Sequence, residues 1–344
     1  MSTAFNLVVL DAFVKGWGWS MSYKRVLIIA NKGWEANALM NVLLEVKACP
    51  DKFPWPIKLT HPLPPQITPT MSNPKPRGVF HFREERQGST HEVQVEVWCI
   101  QDAMNTWVSS SSTKEKDEVL AVMYFGGKEE IDNDKEPDFV VAFGTAGFPG
   151  ETSYNGCVFV GANTFIHDPF KDDLRNDEYW HSEQTGQLIG PSRFSAELFN
   201  PGLRIFDDSL KAQVESRFLA PPMNPARKQI LVAASNYTAV GVVNITNYDD
   251  YAWADEEALH AFKNVCEEHR ERPPIGSVET THGVIRLQSE TPFIFISGIT
   301  DRIGHFNMEV GPRPYAQNFA CAHNAGVVAA WLIPRIVSYL MVER

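Results

Sequence analysis

The chain has 344 residues, of which 44% are hydrophobic and 21% are charged, proportions typical of a soluble globular protein. Its 31 Lys and Arg residues against 42 Asp and Glu residues give a formal net charge of −11, and no block of basic residues occurs. A protein that binds nucleic-acid phosphates needs clustered positive charge, so this balance argues against a nucleic-acid polymer as partner. It favours a small, neutral or mildly charged ligand. The length allows one large α/β domain or two smaller ones.

The cysteines and the N-terminal stretch indicate no special compartment. The five cysteines are scattered and form neither a CxxC pair nor a zinc-ligand spacing, so reduced thiols in a cytoplasmic protein are expected, with no metal and no cofactor. The apolar run at residues 5–14 is interrupted by Asp11 and is not preceded by a basic residue, which does not fit a signal peptide. Residues 1–22 are interpreted as an N-terminal extension and residues 23–344 as a single domain.

The first predicted unit is a strand, a tight turn and a helix. Residues 25–30 form a continuous apolar run of the kind that central parallel strands carry. After a turn at 31–33, apolar residues recur at helical spacing as far as Leu44. Residues 50–76 hold nine of the 23 prolines and are interpreted as an insertion without regular structure. A strand at 93–100 and a helix from about Lys114 follow.

The remaining elements continue the alternation of strands and helices. Residues 138–143 predict a buried strand that a turn at 144–147 closes, and residues 156–161 predict another. Residues 168–228 are interpreted as a second insertion. The later elements are a strand at 229–234, a helix at 253–269, strands at 275–279 and 292–299 with a helix between them, and a long C-terminal helix at 315–342. This alternation predicts an α/β fold with a largely parallel sheet that helices cover on both faces.

Polar or small residues follow five of the predicted strands. In an α/β fold, ligands bind beyond the carboxyl ends of the strands. The candidates at these positions are Glu35, residues 144–147, residues 235–237, Glu279 and Asp301. Each also has an ordinary explanation, because glutamate complements a helix dipole, glycine suits a tight turn, tyrosine packs, and aspartate caps helices. Their coincidence at one edge of the sheet is what indicates a ligand site.

Several common catalytic signatures are absent. No Lys-Ser/Thr follows the glycines at 144–147, and neither a GxGxxG nor a GxSxG motif occurs. His305 near Asp301, and Cys321 near His323, do not have the spacing of a known metal site. The serine run at 109–113 is either a solvated linker or, as the alternative, a phosphate-binding loop.

Four segments occur in an order that matches a known pattern. "VLIIANKGWEANAL" leads from the first strand to Glu35 at a helix start, and "AFGTAGFPG" places Thr145 at the end of a later strand. "NTFIHD" follows at residues 163–168, and Thr300-Asp301 ends a late strand. In this order the segments resemble those of the purine nucleoside phosphorylase and 5′-methylthioadenosine/S-adenosylhomocysteine nucleosidase superfamily. The resemblance implies a three-layer α/β/α sandwich with a mixed, largely parallel central sheet.

The resemblance also implies a reaction. The chain would be a purine nucleosidase that hydrolyses the N-glycosidic bond of an adenosine- or methylthioadenosine-like nucleoside to free base and sugar. Asp301 would protonate the leaving base at N7, and Glu35 would orient and deprotonate a water on the opposite face of the sugar. Thr145 would orient Asp301 or the base. Glu279 would hold the ribose hydroxyls, although a small change of alignment puts Thr281 at that position. The further substrate contacts that the resemblance implies are Gly144, Ala146, Asn236, Tyr237, Thr238 and Thr300.

Two alternatives stay open at this point. Phosphorylases of the superfamily surround a phosphate with arginines near the first loop, where Glu35 would repel phosphate, but Lys32, Arg286 and Arg302 leave phosphorolysis possible. The other alternative is a nucleoside-binding protein without turnover, because residues 235–238 depart from the superfamily's pattern. Water or phosphate would be the co-substrate, no membrane partner is expected, and a cytoplasmic homo-oligomer is implied.

Overall fold

The computed structural model describes residues 23–45, 58–59, 75–86, 89–104, 113–125, 136–167, 188–189, 208–232, 240–245 and 275–342, together with seven helical positions between 252 and 267. The predicted N-terminal extension, nearly all of the 50–76 insertion and the serine run at 109–112 therefore lie outside the described residues, as does most of the 168–228 insertion before residue 208.

The described strands form one mixed sheet of twelve strands. Their order is β2-β3-β4-β1-β5-β11-β10-β7-β8, while β12 pairs with β5 and β6, and β9 pairs with β6. In chain order the strands are β1 (Lys24–Ala30), β2 (Lys58–Leu59), β3 (Gly78–Arg86), β4 (Ser89–Cys99), β5 (Phe139–Phe148), β6 (Val158–Gly161), β7 (Asn163–His167), β8 (Leu188–Ile189), β9 (Ile230–Val232), β10 (Val240–Ile245), β11 (Ile275–Glu279) and β12 (Phe293–Arg302).

Helices cover both faces of this sheet, because its central strands are apolar on both. In β1, Val26 and Ile28 belong to the core that α1 and α6 cover, whereas Leu27 and Ile29 belong to the core that α3 and α5 cover. The predicted three-layer α/β/α arrangement is thereby confirmed. The described helices are α1 (Gly33–Leu44), α2 (Ile100–Ala103), α3 (Thr113–Phe125), α4 (Asp208–Glu215), α5 (His282–Arg286), a π-helix (Phe306–Val310) and α6 (Tyr315–Val342).

The strand directions bring several carboxyl ends to one place. β1 runs parallel to β4 and β5, and β5 runs parallel to β12. β11 meets β5 antiparallel at Val278 and Gly147, so that Glu279, at the end of β11, also faces the last residues of β5. The carboxyl ends of β1, β5, β11 and β12 therefore surround residues 144–147.

Residues 144–147 are not the turn that the sequence indicates. β5 continues through them to Phe148, because β12 remains paired with it, with Ile299 opposite Ala146 and Asp301 opposite Gly147. The register shifts by one residue between Ile299 and Asp301, and Asp301 lies within β12 rather than after it. Closely spaced glycines are typical of a turn. Here, however, residues 144–147 stay extended because they remain hydrogen-bonded to β12.

Five strands, β2, β3, β7, β8 and β10, were not expected from the sequence, and β2 lies within the 50–76 insertion that was interpreted as lacking regular structure. β3 reads GVFHFREER and carries charged residues over its second half. It nevertheless pairs with β4 in antiparallel register along its whole length, from Gly78 opposite Val97 to Arg86 opposite Ser89. Cross-strand pairing thus overrides the weak apolar pattern of β3, as is common for strands near a sheet edge.

α6 is long and apolar enough to span a membrane by length and composition alone, but 72% of the residues in its most apolar window are buried inside the domain. It contains Pro334 and packs on α1 and β12. At the contact with β12, a Cβ on Gly298 would lie 2.1 Å from the carbonyl oxygen of Cys321 in α6. The helix thus sits directly on the backbone of the strand that carries Asp301.

We expect Gly298→Ala to lower the free energy of unfolding by at least about 1–3 kcal/mol, because neither backbone can move without separating α6 from β12. Gly311→Ala is the matched control, since the atom nearest to its added Cβ lies 3.5 Å away and its backbone is already helical. Urea unfolding of both variants measures the difference. Equal stabilities for the two would contradict the close contact.

Candidate active site

A cleft opens at the carboxyl ends of β1, β5, β11 and β12. It encloses about 720 Å³, part of which is open to solvent. The structure brings together these residues predicted from the sequence: Glu35, Gly144, Thr145, Ala146, Glu279, Thr300 and Asp301. The predicted base contacts Asn236, Tyr237 and Thr238 lie outside the described residues.

Glu35 is held in the first turn of α1 by three hydrogen bonds. Its Oε2 accepts from the backbone N–H of Lys32 at 2.9 Å, and its Oε1 accepts from the N–H and the hydroxyl of Thr145, both at 2.8 Å. Burial raises the pKa of Glu35, and these hydrogen bonds and the charge of Lys32 oppose that shift. Thr145 therefore orients Glu35, whereas the sequence analysis assigned it to Asp301 or the base.

The start of α1 is fixed by Arg77, which the sequence analysis did not single out. Arg77 donates to the carbonyl of Gly33 at 3.0 Å and to both carboxylate oxygens of Asp102 at 2.5 Å. The N–H of Gly33 donates to Gln101 at 2.6 Å. Both hydrogen-bonding groups of Gly33 are thus satisfied by side chains, and the turn that carries Glu35 is anchored to the end of β4.

Asp301 is 2% exposed, and its described hydrogen bonds all reach one of its two carboxylate oxygens. Its Oδ1 accepts hydrogen bonds from the hydroxyl of Thr300 and from the guanidinium of Arg313. Arg313 also donates to the Thr300 hydroxyl at 3.0 Å. In the described part of the chain Oδ2 of Asp301 has no hydrogen-bond partner, and it lies 2.9 Å from the position of a Cβ on Gly147. Any proton that Asp301 transfers would therefore move through Oδ2.

Glu35 and Asp301 contact residues 144–147 at opposite ends of that segment. Oε1 of Glu35 lies 3.0 Å from the position of a Cβ on Gly144, whereas Oδ2 of Asp301 lies beside Gly147. Three residues of extended chain span about 10 Å. This is the span of the backbone between the two glycines, and both acids line the cleft along it, so that a ligand could meet one acid at each end.

Glu279 is buried at the N-terminus of α5. Its two oxygens accept from the backbone N–H groups of Thr281 at 2.5 Å and of His282 at 2.7 Å. Burial raises the pKa of Glu279 to about 8, with a smaller contribution from the charge of Glu35, while the two N–H groups oppose the shift. Glu279 lines the cleft, whereas Thr281 is fully buried and is not part of the lining. Of the two alternatives that the sequence left for the ribose position, Glu279 is the one that a ligand can reach.

His282 completes this side of the cleft as an uncharged group. Burial lowers its pKa to about 3, and its ring stacks on Phe295 with centroids 6.1 Å apart. Its Nδ1 lies 4.0 Å from Oε1 of Glu279, so a neutral imidazole, not an ion pair, stands beside that carboxyl. The sequence around His282, with Thr281 before it and Gly283 after it, gives no sign of this arrangement.

The cleft is completed by a fourth acid and an apolar wall. Asp255 is 7% exposed and its Oδ2 accepts from the N–H of Gly304 at 2.7 Å. Ile303 and Val310 line the cleft beside it. Arg313 and Asp255 come from segments without a strand, so a search for residues at strand ends does not find them. The only sequence signal for Arg313 is its place shortly before the last helix.

The basic residues that kept phosphorolysis open do not converge. Arg302 is bound to Glu309 at 2.7 Å and to the carbonyl of Glu151 at 2.9 Å, and Arg286 donates to the carbonyl of Ser289 at 2.9 Å. Among the described residues, only Lys32 and Arg313 bring a basic side chain to the cleft. No group of three or more His, Cys, Asp or Glu residues that could hold a metal ion occurs within the described residues.

The fold and the cleft define an α/β protein with an acidic small-molecule site at the carboxyl ends of its strands. The chain matches no protein-family model, and no curated protein is similar to it in sequence. It is similar to solved structures that include a 5′-methylthioadenosine/S-adenosylhomocysteine nucleosidase from Neisseria meningitidis in complex with methylthio-immucillin-A, at 13% identity and a TM-score of 0.45, covering 91% of this chain and 99% of that one.

Two other solved structures give comparable matches. An S-adenosylhomocysteine nucleosidase from Streptococcus pyogenes in complex with 5-methylthiotubericidin has 13% identity and a TM-score of 0.45, covering 91% of this chain and 98% of that one. A futalosine hydrolase mutant of Helicobacter pylori has 10% identity and a TM-score of 0.44, covering 92% of this chain and 99% of that one. Identities this low transfer neither a substrate nor an activity to this chain.

Glu279 makes the stability of this protein dependent on pH. Because its folded pKa of about 8 lies above the ordinary value of 4.5, the unfolded chain loses this proton first as the pH rises. The contribution of Glu279 to stability is therefore full below about pH 4.5 and is lost between there and pH 8, at no more than about 1.4 kcal/mol per pH unit. We expect the free energy of unfolding of Glu279→Gln to fall less steeply with rising pH than that of the wild type.

Urea unfolding of both proteins at intervals from pH 5 to pH 9 measures this difference, because the other titrating groups are common to the two. A constant difference between wild type and Glu279→Gln across this range would contradict the raised pKa.

Proposed function

We propose that this protein is a purine nucleosidase that hydrolyses the N-glycosidic bond of an adenosine- or methylthioadenosine-like nucleoside to free base and sugar. The observation that carries the proposal is that Glu35 and Asp301 line one cleft, with Glu35 beside Gly144 and Asp301 beside Gly147. Glu279 lines the same cleft beside them. A nucleoside placed between the two acids would have its base toward Asp301 and the attacked face of its sugar toward Glu35.

On the leaving-base side, the reaction breaks the bond between C1′ and N9, and its electron pair stays on the base. A proton on N7 stabilises that charge, and a positioned acid contributes about 10²–10⁴-fold to such a step. Oδ2 of Asp301 would deliver this proton. The hydrogen bonds of Thr300 and Arg313 to Oδ1 would fix the orientation of the carboxyl, while the positive charge of Arg313 would stabilise the carboxylate that remains.

On the opposite face, the oxygen of a water forms a bond to C1′ and the water loses one proton. Glu35 would accept that proton. Its raised pKa, caused by burial, brings its basicity closer to neutral pH, where a general base works best. The three hydrogen bonds from Lys32 and Thr145 would keep the carboxylate in place, and Oε2, which accepts only one of them, retains a second lone pair for the water. Solvent would then remove the proton from Glu35 and return one to Asp301.

Glu279 would bind the sugar. Its oxygens each accept one backbone N–H and can each accept a second hydrogen bond, so that two ribose hydroxyls could donate to them. Hydrogen bonds that tighten as the ring flattens toward an oxocarbenium ion stabilise the transition state more than the substrate. The stacked, neutral His282 beside Glu279 would add no competing charge.

The charges of the cleft favour water over phosphate as the nucleophile. Glu35 stands where an attacking phosphate would have to lie, and two carboxyl groups, Glu279 and Asp255, line the same cleft. Arg286 and Arg302 are committed to other partners. Lys32 and Arg313 remain as basic groups, and Arg313 is bound to Asp301. Cytoplasmic location and assembly into a homo-oligomer remain predictions from the sequence alone.

The test is a chromatographic assay of adenosine, methylthioadenosine, S-adenosylhomocysteine, inosine, guanosine and AMP, with and without phosphate. We expect free base and free sugar without phosphate, and a loss of kcat by about 10²–10⁴-fold in both Asp301→Asn and Glu35→Gln. Arg302→Gln serves as a control for the loss of a polar side chain at the end of the same strand but outside the cleft, and it should retain activity in the folded fraction.

Formation of a sugar 1-phosphate only when phosphate is present would replace hydrolysis by phosphorolysis. Tight binding of a nucleoside without release of base, in wild type and both variants, would make the chain a binding protein.

A further inference from the structure

Asp255 is a buried carboxyl group of the cleft to which the proposed reaction assigns no task. It lies in the helical segment around residues 252–267, and its side chain lines the cleft at 7% exposure. One of its oxygens, Oδ2, accepts from the N–H of Gly304. Burial of a carboxyl group is costly unless hydrogen bonds compensate it. A buried acid that faces a ligand cleft therefore requires an explanation.

The position of Asp255 is on the side of the cleft where the base would leave. Gly304 follows β12 by two residues, so the hydrogen bond ties Asp255 to the strand that carries Asp301. Asp255 and Asp301 line the same cleft. Burial raises the pKa of Asp255 to about 6; the charge of Asp301 adds to this shift, whereas the N–H groups of Gly304 and Phe306 and the charge of His305 oppose it. The apolar side chains of Ile303 and Val310 line the same end and would pack on a flat ring.

The geometry of a purine determines what a second acid next to Asp301 would meet. N7 and the substituent on C6 lie side by side on one edge of the ring. In adenine this edge presents an acceptor and an amino donor, whereas in 6-oxopurines it presents two acceptors. If Asp301 faces N7, an adjacent carboxylate faces the C6 substituent. That carboxylate accepts a hydrogen bond from an amino group and repels an oxo group.

We propose that Asp255 selects nucleosides of 6-aminopurines against those of 6-oxopurines by accepting a hydrogen bond from the 6-amino group. The inference rests on the proposed function and specifies its substrate class. On this edge of the base the two acids would then have different roles: Asp301 protonates N7, and Asp255 accepts a hydrogen bond from the substituent on C6. Sites that hydrogen-bond one substrate group reject analogues that lack it far more strongly than apolar pockets do, because a buried polar group is then left unpaired.

The test compares adenosine with inosine at pH 8, where Asp255 is ionised. In the wild type we expect kcat/KM for adenosine to exceed that for inosine by at least about 10²-fold. Asp255→Asn keeps an oxygen for the N–H of Gly304, and its amide can donate to an oxo group. We expect this variant to reduce the ratio by about 10–10²-fold, and Asp255→Ala to reduce it as well. Glu256→Gln, an exposed neighbour on the same helical segment, is the matched control and should leave the ratio unchanged.

The ratio distinguishes selection from damage to the fold, because a smaller active fraction lowers the rates for both substrates equally. Calorimetry with free adenine and hypoxanthine gives a second readout that needs no turnover: the wild type should bind adenine more tightly, and Asp255→Asn should lose that preference. If the wild type cleaves no nucleoside, the proposed function fails and the calorimetry alone decides the role of Asp255. An unchanged adenosine-to-inosine ratio in both Asp255 variants, or equal binding of the two bases by the wild type, would overturn the inference.

Discussion

The pairing of β12 with β5 is the interaction on which the cleft depends. Both strands are apolar and buried, they run parallel, and their ladder continues past Ile299 to Asp301 opposite Gly147 after a shift of one residue. Glu35 reaches the same segment from α1, through the amide and the hydroxyl of Thr145. β11 completes it from the other side, at Val278. Without the extended segment 144–147, the side chains of Glu35, Glu279 and Asp301 would not be held in one cleft.

Desolvation determines the electrostatics of the cleft. Burial raises the pKa of Glu35, Glu279 and Asp255 and lowers that of His282, so every one of these shifts favours the neutral form. Backbone N–H groups oppose the shifts of the three acids and hold their carboxyl groups in fixed orientations. The result is a site with several proton-transferring groups but little uncompensated charge, which suits an uncharged ligand better than a phosphate.

The sequence is informative about elements whose signal is local. The apolar runs of β1, β5 and β12 and the helical spacing of α1 and α6 follow from the burial of those elements, and the acids at the strand ends follow from the α/β rule. The glycines at 144–147 mislead, because a turn and a tightly paired strand end use the same residues. The charged β3 is missed because its partner β4, not its own composition, keeps it in the sheet.

By itself the sequence determined the α/β class, the layers of the fold and the acids Glu35, Glu279 and Asp301, because hydrophobic periodicity and strand order are written in consecutive residues. Only the tertiary structure decided that Thr145 serves Glu35, that Arg313 binds Asp301 and that Asp255 joins the cleft. These contacts link residues 110, 12 and 49 positions apart, the last being that of Asp255 with Gly304. Which residues form these contacts depends on how α1, β12 and the later helices pack, and no local pattern in the sequence indicates it.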